Sequence, residues 1–419
     1  MPSQHAPAKA LIIGAGIAGP AAALFLKRAG ICAEIFESRP GPETIGGGMT
    51  IAPNGMRVLE HLELDRRLGA LGASMENICF RDQDGHIIAH YENARPGQFD
   101  QPAIALPRAA VHQALLERTA QAEIPLHFGK RLIDVVRQSN GVIAVFDDGT
   151  EVHGDYLIGA DGVHSRVRRA IFPDIDPIYT GRLAVGGFVE EATGGSNDDA
   201  RQINLTLGAN GSFGYCSGDA GGRRWMWWST ARQVQEPSRS DLAAIPQTDL
   251  VAALCKRHAG WHPPIARFIT ATPEITKVPI YAVPKLPGWW RDRIVLIGDS
   301  AHAMPPQAGQ GASVALEDAM YLAAMLQRCR GDHIQAFAAY EQGRRERVEK
   351  IAEHARKSAE RQTGRIAFWF MKQLLKIILP IVGSRSQQWM YDYRIEWSTP
   401  DRPECTTGRQ AIDRATHQA

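Results

Sequence analysis

The sequence predicts an α/β protein in three parts: a Rossmann-like nucleotide-binding domain, a mixed β-sheet domain inserted into it, and a C-terminal helical segment. Three observations lead there. The chain opens with a strand, a glycine turn, an amphipathic helix and a second strand within about 30 residues, ALIIGAGIAGPAAALFLKRAGICAEIFES. From about 173 to 289 the texture changes to alternating β patterns (RLAVGGFVE, INLTLGANGSFGYCSG, RRWMWWST). RDRIVLIGDS (291–300) then returns to a buried strand of the parallel kind, before an almost wholly helical stretch from about 311 to 378. The expected division is 1–75, 101–172 and 290–362 for the nucleotide-binding domain, 76–100 and 173–289 for the second domain, and 363–419 for the C-terminal segment.

Each element follows from local pattern. A helical crossover implies that the first two strands pair in parallel. The glycine-rich IGGGMTIAPNGM (45–56) precedes a helix expected from about Gly55 to Leu71. FRDQDGHIIAHYE (80–92) reads as a hairpin turning at Asp84-Gly85. PRAAVHQALLERTAQAE (107–123) is helical, and the next segment alternates as three strands with turns at Asn140-Gly141 and Asp148-Gly149. A further helix is expected near 248 to 259.

Composition narrows the function. With 419 residues the chain can build a large core, and 44% apolar and 22% charged residues are ordinary for a globular protein. A formal charge of +2 points away from nucleic acid. Six single cysteines (Cys32, Cys79, Cys216, Cys255, Cys329, Cys405), without metal-like spacing, suit a reducing, cytoplasmic compartment. MPSQHAPAKA lacks the features of a signal peptide. FWFMKQLLKIILPIVG (368–383) carries Lys372 and Lys376, stops at Pro380, and reads as a helix packed on the body, with weak membrane-surface contact as the alternative. The protein is expected as a monomer or homodimer.

Gly14, Gly16 and Gly19 form GxGxxG between strand and helix, with Glu37 at the end of the second strand. Such glycines let a pyrophosphate approach backbone at the helix N-terminus, and the acid takes ribose hydroxyls. This pattern alone leaves NAD and FAD open. GDSAHAMPPQAGQGASVALEDA (298–319) decides between them, because Asp299 stands where a strand ends and a second polyol-binding acid suits a ribityl chain. Gly309 and Gly311 then lead into a helix whose positive pole would stabilise a reduced, anionic isoalloxazine by roughly 1 to 2 kcal/mol. Pro305-Pro306, lacking N–H donors, can lie along the ring face. FAD is the expected cofactor.

With these motifs the chain resembles the single-component flavoprotein monooxygenases of the aromatic hydroxylase type, the group that includes para-hydroxybenzoate hydroxylase. The likeness covers about 8 to 365 and rests on GAGIAG with Glu37, on GADGVHSRVR (159–168), and on the motif from 298. It implies the para-hydroxybenzoate hydroxylase-like fold, and FAD contacts for Gly48, Arg108, Asp161, Gly162 and Ala312, with Arg166 as a phosphate contact. It also implies hydroxylation of a hydrophobic aromatic or polyketide-like molecule with O2 through a flavin C4a-hydroperoxide. NADH or NADPH would serve as a transient co-substrate, since no second fingerprint exists for it. Pro306 and Tyr215 would be the catalytic residues, Tyr215 orienting or deprotonating a hydroxylated ring; an ordinary core tyrosine is the alternative. Ser313 stands where the hydroxybenzoate enzyme has asparagine, and Gly186-Gly187 where many relatives have Arg-Gly, so a cationic substrate anchor is missing. Trp225 and Trp227 should share one sheet face and Trp228 take the other, all reading chiefly as packing residues. His302 reads as structural, with no metal site, and His354 in RRERVEKIAEHARK (344–357) as part of a solvated helix face. The alternatives are an epoxidase or prenyl-chain reductase on the same fold, or a flavin-binding protein that sequesters a small molecule.

Overall fold

KALII has four buried side chains in succession and forms a central strand, β1 (Lys9–Ile13). The computed structural model describes residues 8–42, 46–95, 97–190, 199–208, 211–330, 332–360, 373–376, 378, 383 and 387–397. After β1 come α1 (Ala18–Arg28) and β2 (Cys32–Phe36), which pairs with β1 in parallel. Next are β3 (Gly48–Ile51), α2 (Pro53–His61) and α3 (Asp65–Leu71). The single helix expected over Gly55–Leu71 is therefore two. Glu63 takes φ 61, and the Leu64 amide bonds back to the Leu59 carbonyl at 2.9 Å. That is a Schellman-type stop, with Leu62 and Leu64 both buried beneath it.

β4 (Ala73–Ser74) precedes the hairpin of β5 (Asn77–Asp82) and β6 (Ile87–Glu92), in which the Asp82 carboxylate accepts from the amides of Asp84 and His86. β7 (Ile104–Pro107) runs directly into α4 (Arg108–Gln121), followed by β8 (Leu126–His127). β9 (Leu132–Gln138), β10 (Gly141–Phe146) and β11 (Glu151–Gly154) are the three-stranded meander, and β12 (Tyr156–Gly159) leads to α5 (Arg166–Ile171). The β-rich region comprises β13 (Ile178–Glu190), β14 (Gln202–Gly208), β15 (Gly211–Ser217) and β16 (Arg224–Arg232). α6 (Arg239–Ala244), α7 (Gln247–Arg257), α8 (Ile265–Ala271) and β17 (Thr276–Ala282) complete it. Finally β18 (Trp290–Arg291), β19 (Ile294–Leu296) and α9 (Asp299–His302) precede the long helices α10 (Gly311–Arg328) and α11 (His333–Glu360).

Two sheets organise the chain. The first, ordered β18-β19-β12-β1-β2-β8, is parallel except at β18, so the C-terminal ends of β1, β12 and β19 lie side by side. The second, ordered β17-β13-β16-β15-β14-β5-β6, is mixed, because β14 runs parallel to β5. Its two faces do different work. Phe213, Tyr215, Trp225 and Trp227 pack with Leu254 and Phe268 of α7 and α8 in a core of their own. Cys216 and Met226 point the other way and join the core of the first sheet, with Phe188 and Trp228 at its edge. The three tryptophans thus divide between the faces as their alternation requires.

Most of 368–383, including Lys372 and Pro380, lies outside the described residues; 373–376 and 378 are helical, with Leu374 and Ile378 exposed. Among the described residues no helix is long and apolar enough to cross a membrane. Cys405 also lies outside them, and among the described residues none of the other five cysteines forms a disulfide. The segment 387–397 is strapped to the body by arginines. Arg57 Nη1 donates to the Tyr391 and Tyr393 carbonyls at 2.6 and 2.9 Å, and Arg347 donates to those of Trp389 and Met390 at 3.2 and 2.7 Å.

Trp225→Ala empties the centre of the α7–α8 face and should lower unfolding free energy by about 3–5 kcal/mol, read from chemical denaturation.

Candidate active site

The three glycines of the first loop have three different reasons to be glycine. Gly14 sits at φ 104, and a Cβ there would lie 2.4 Å from the Ala160 carbonyl oxygen, so the ends of β1 and β12 can touch only without a side chain. A Cβ on Gly19 would lie 1.9 Å from the Gly14 carbonyl oxygen, which lets α1 pack onto the turn. Gly16 instead borders open space, where the nearest atom to a Cβ would be Nη2 of Arg108 at 4.0 Å. α1 begins without an acid in its first turn or a side-chain cap, so its positive pole is open. Glu37 accepts from the Ala15 amide at 2.8 Å and the Arg39 amide at 2.9 Å, holding it at the end of β2 beside the loop.

At the end of β19 the chain turns at Gly298 (φ 59) into α9. Asp299, the first residue of α9, is exposed, and its carboxylate makes no hydrogen bond among the described residues. Its carboxyl pKa is nonetheless raised, chiefly by burial and also by Asp318, against the pull of His302 and Arg108. It is reached by solvent yet closely surrounded by protein. Ser300 Oγ ties this turn to the Gly159 carbonyl at 2.6 Å. Arg168, almost fully buried, donates to the carbonyls of Ser300 at 3.0 Å and Val163 at 2.7 Å, joining the 159–168 and 298–302 motifs.

Behind the cleft lies a buried chain of charges. His302 Nε2 is 2.6 Å from Asp318 Oδ2, which also accepts from the Gly298 amide at 3.0 Å. Arg344 bridges Asp318 at 2.9 Å and Glu317 at 2.6 Å, and Arg347 holds Glu317 at 2.9 Å. Asn54 donates to Glu317 at 2.7 Å and to Gln310 at 3.0 Å, and Gln310 immediately precedes α10. Burial opposes ionisation of Asp318, but His302 and Arg344 outweigh it and hold its carboxyl below the usual range. This network clamps α10 from the side. Ser313 Oγ accepts from the Ala52 amide at 3.1 Å and fixes the first turn against α2. Gly311 and Ala312 remain half-exposed, and α10 has neither a side-chain cap nor an acid in its first turn, so its leading amides face open space. Gly309 (φ 60) closes the preceding turn onto the Pro306 carbonyl at 2.9 Å, with Pro305 buried and Pro306 exposed.

The structure thus brings Gly14, Gly16, Gly19, Glu37, Arg108 and Asp299 around adjoining strand ends, with Gly309, Gly311 and Ala312 on the turn leading into α10. Gly48 lies on β3 against the second sheet: a Cβ there would come 2.1 Å from Met226 Sδ. Asp161 stands just before α5. Its carboxylate accepts from Ser165 Oγ and from the Arg166 and Val167 amides at 2.7 and 3.1 Å, so it caps α5; burial raises its pKa against these bonds. Gly162 supplies the φ 78 of that turn. Arg166 is exposed and donates to the Leu132 carbonyl.

Tyr215 does not join the cleft. It is 3% exposed, with its ring 5.4 Å from Phe268 and 6.2 Å from Trp225, on the sheet face turned toward α7 and α8. The alternation of β15 decides this, because Cys216, not Tyr215, faces the first sheet. On that side Trp228 lies against Gly214, where a Cβ would come 2.2 Å from the indole. Gly186 pairs with Trp228, and a Cβ on it would meet the Trp227 carbonyl at 2.5 Å, so no arginine fits there. Met49, Phe188, Trp228, Met304 and Ala312 are half-buried apolar groups along the edge of the shared core. His302 has the structural place expected of it. RRERVEKIAEHARK is only partly the solvated face expected: His354 is exposed, but Arg344 is a buried and Arg347 a half-buried ion-pair partner. Arg344, Glu317, Asp318 and Arg168 were not singled out from sequence as site residues, although Glu317-Asp318 sits inside the third motif.

Asp318 has a depressed folded-state pKa, so its contribution to stability is present above the unfolded value of about 3.9 and lost as pH falls below it. Asp318→Asn should destabilise the protein at pH 7 and flatten the acid limb of its stability profile, measured by thermal unfolding from pH 3 to 8. Tyr215→Phe should leave turnover within about twofold, since its ring packs against α8 on the sheet face turned away from the first sheet.

Comparison with known proteins adds four findings. Residues 7–355 match the family described as FAD binding domain. The chain is 31% identical over 353 residues to the 3-amino-4-hydroxybenzoate 2-monooxygenase of Streptomyces cremeus, covering 83% of this chain and 86% of that one. It is 29% identical over 357 residues to the 6-hydroxynicotinate 3-monooxygenase of Bordetella bronchiseptica, covering 81% and 88%. Its fold superimposes on Klebsiella pneumoniae HpxO complexed with FAD and uric acid with a TM-score of 0.80 at 26% identity, covering 92% and 96% of the two chains.

Proposed function

Because the chain belongs to the FAD-binding family of aromatic hydroxylase-type flavoprotein monooxygenases, we propose that it uses NADH or NADPH and O2 to hydroxylate an uncharged, apolar aromatic molecule. The cofactor is FAD, and the residues present suit it. The observation that carries the reading is the Asp299 carboxylate at the end of β19, open to solvent and without a hydrogen-bond partner among the described residues although protein closely surrounds it.

In this reading Gly14, Gly16 and Gly19 and the pole of α1 receive the pyrophosphate, with Arg108 as its cation. Glu37 takes the ribose hydroxyls, and Asp299 those of the ribityl chain. The amides of Gly311 and Ala312, on a turn set by Gly309, stabilise negative charge by roughly 1 to 2 kcal/mol. Gly48 and Gly162 offer backbone, and Pro306 a face without donors. Bound FAD supplies hydride acceptance and oxygen activation; the chain orients the ring and keeps water out. The nicotinamide donor binds transiently, since the one glycine fingerprint is taken. Substrate specificity falls to the Trp228 face of the second sheet. Gly186-Gly187 removes a cationic anchor there, and Met49, Phe188, Met304 and Trp228 offer apolar surface. The residues of the second sheet, 76–100 and 173–289, form the substrate domain in this scheme.

Asp299→Ala should weaken FAD binding about 10- to 100-fold, the effect of losing hydrogen bonds to a charged group. Flavin titration of apoprotein measures this. In the unaltered enzyme, donor oxidation and O2 uptake should be stimulated by neutral phenols, quinolones or polyketides more than by benzoates. A preference for carboxylated rings, or a chain that stays colourless with added FAD, refutes the proposal.

A further inference from the structure

α4 presents two side chains to the glycine loop, Arg108 and His112, one turn apart at i and i+4. His112 is 6% exposed, and its Nε2 lies 2.6 Å from the Ala15 carbonyl oxygen. Among the described residues its buried Nδ1 has no hydrogen-bond partner. A carbonyl only accepts, so Nε2 carries a proton and donates it to Ala15. The Ala15–Gly16 peptide is planar and trans, so its C=O and N–H point in opposite directions. With the carbonyl held by buried His112, the Gly16 N–H points the opposite way. The Arg108 guanidinium stands 4.0 Å from where a Cβ on Gly16 would lie.

We infer that His112 is a positioning residue for the cofactor's pyrophosphate: its Nε2–H fixes the Ala15–Gly16 peptide so that an amide, not a carbonyl, meets the anion. A peptide freed from this bond can turn its carbonyl dipole toward the phosphate and repel it. One helix thereby supplies both the cation beside the phosphate and the donor that orients the backbone amide. The inference rests on FAD binding at this loop, which titration of the unaltered apoprotein tests separately.

The experiment compares His112→Leu with His112→Gln, whose Nε2 can occupy the place of the imidazole donor. Apoproteins are titrated with FAD and with riboflavin, which lacks the pyrophosphate. His112→Leu should raise the FAD dissociation constant about tenfold, the worth of one hydrogen bond, and leave riboflavin binding unchanged. His112→Gln should restore FAD affinity to within about threefold. Unchanged FAD affinity in the leucine variant, equal weakening of FAD and riboflavin, or a glutamine variant as weak as the leucine one overturns the assignment. Should the leucine variant fail to fold, His112→Asn, polar but too short to reach Ala15, takes its place in the same comparison. If the unaltered chain takes up no FAD, the proposed function fails first.

Discussion

The Asp318 carboxylate is the interaction on which the rest of the site depends. It receives the Gly298 amide on one oxygen together with His302, and Arg344 on the other. Gly298 precedes Asp299, and Asp318 lies two turns into α10, so one buried group ties the turn that carries Asp299 to that helix. Buried ion pairs of this kind are costly to break and add little net stability. Here their value is register. Glu317, Arg344, Arg347 and Asn54 extend the same constraint to Gln310, immediately ahead of α10.

A consequence is that the site is built from strand ends and helix ends rather than from flexible loops. β1, β12 and β19 finish side by side, and Arg168 stitches the segments that follow two of them through backbone carbonyls. The motifs are therefore distant in sequence but contiguous in space. Asp161 illustrates the economy of the arrangement: its carboxylate stabilises the start of α5 and leaves the turn at Gly162 to present backbone.

Much of this was legible in the chain. Periodicity and turn residues expose β1–α1–β2, the β5–β6 hairpin and the meander, because those signals are local. The three motifs mark strand ends by pairing glycine with an acid, so the residues around Asp299 could be assembled before any coordinates. What stayed hidden depended on which neighbour docks where. Tyr215 and Cys216 are adjacent, and only the docking of α7 and α8 on one sheet face decides which of them meets the first sheet. Arg344 and Arg347 sit in a run dense with charge that looks solvated, and their burial follows from α10 carrying acids toward α11. Glu63 stops a helix through a left-handed residue that is not glycine, which composition does not announce. His112 hides in an ordinary amphipathic helix, although its i, i+4 spacing from Arg108 could have drawn attention to it.

The arginine strap carries an implication for reshaping the chain. Arg57 and Arg347 each give protons to backbone oxygens of 389–393, and Arg347 also grips Glu317. The tail is therefore a set of acceptors for guanidiniums that belong to the interior. Trimming the protein before Trp389 would strip those oxygens away, leaving Arg347 to Glu317 alone and Arg57 short of acceptors, so a shortened version must first be given substitutes for them.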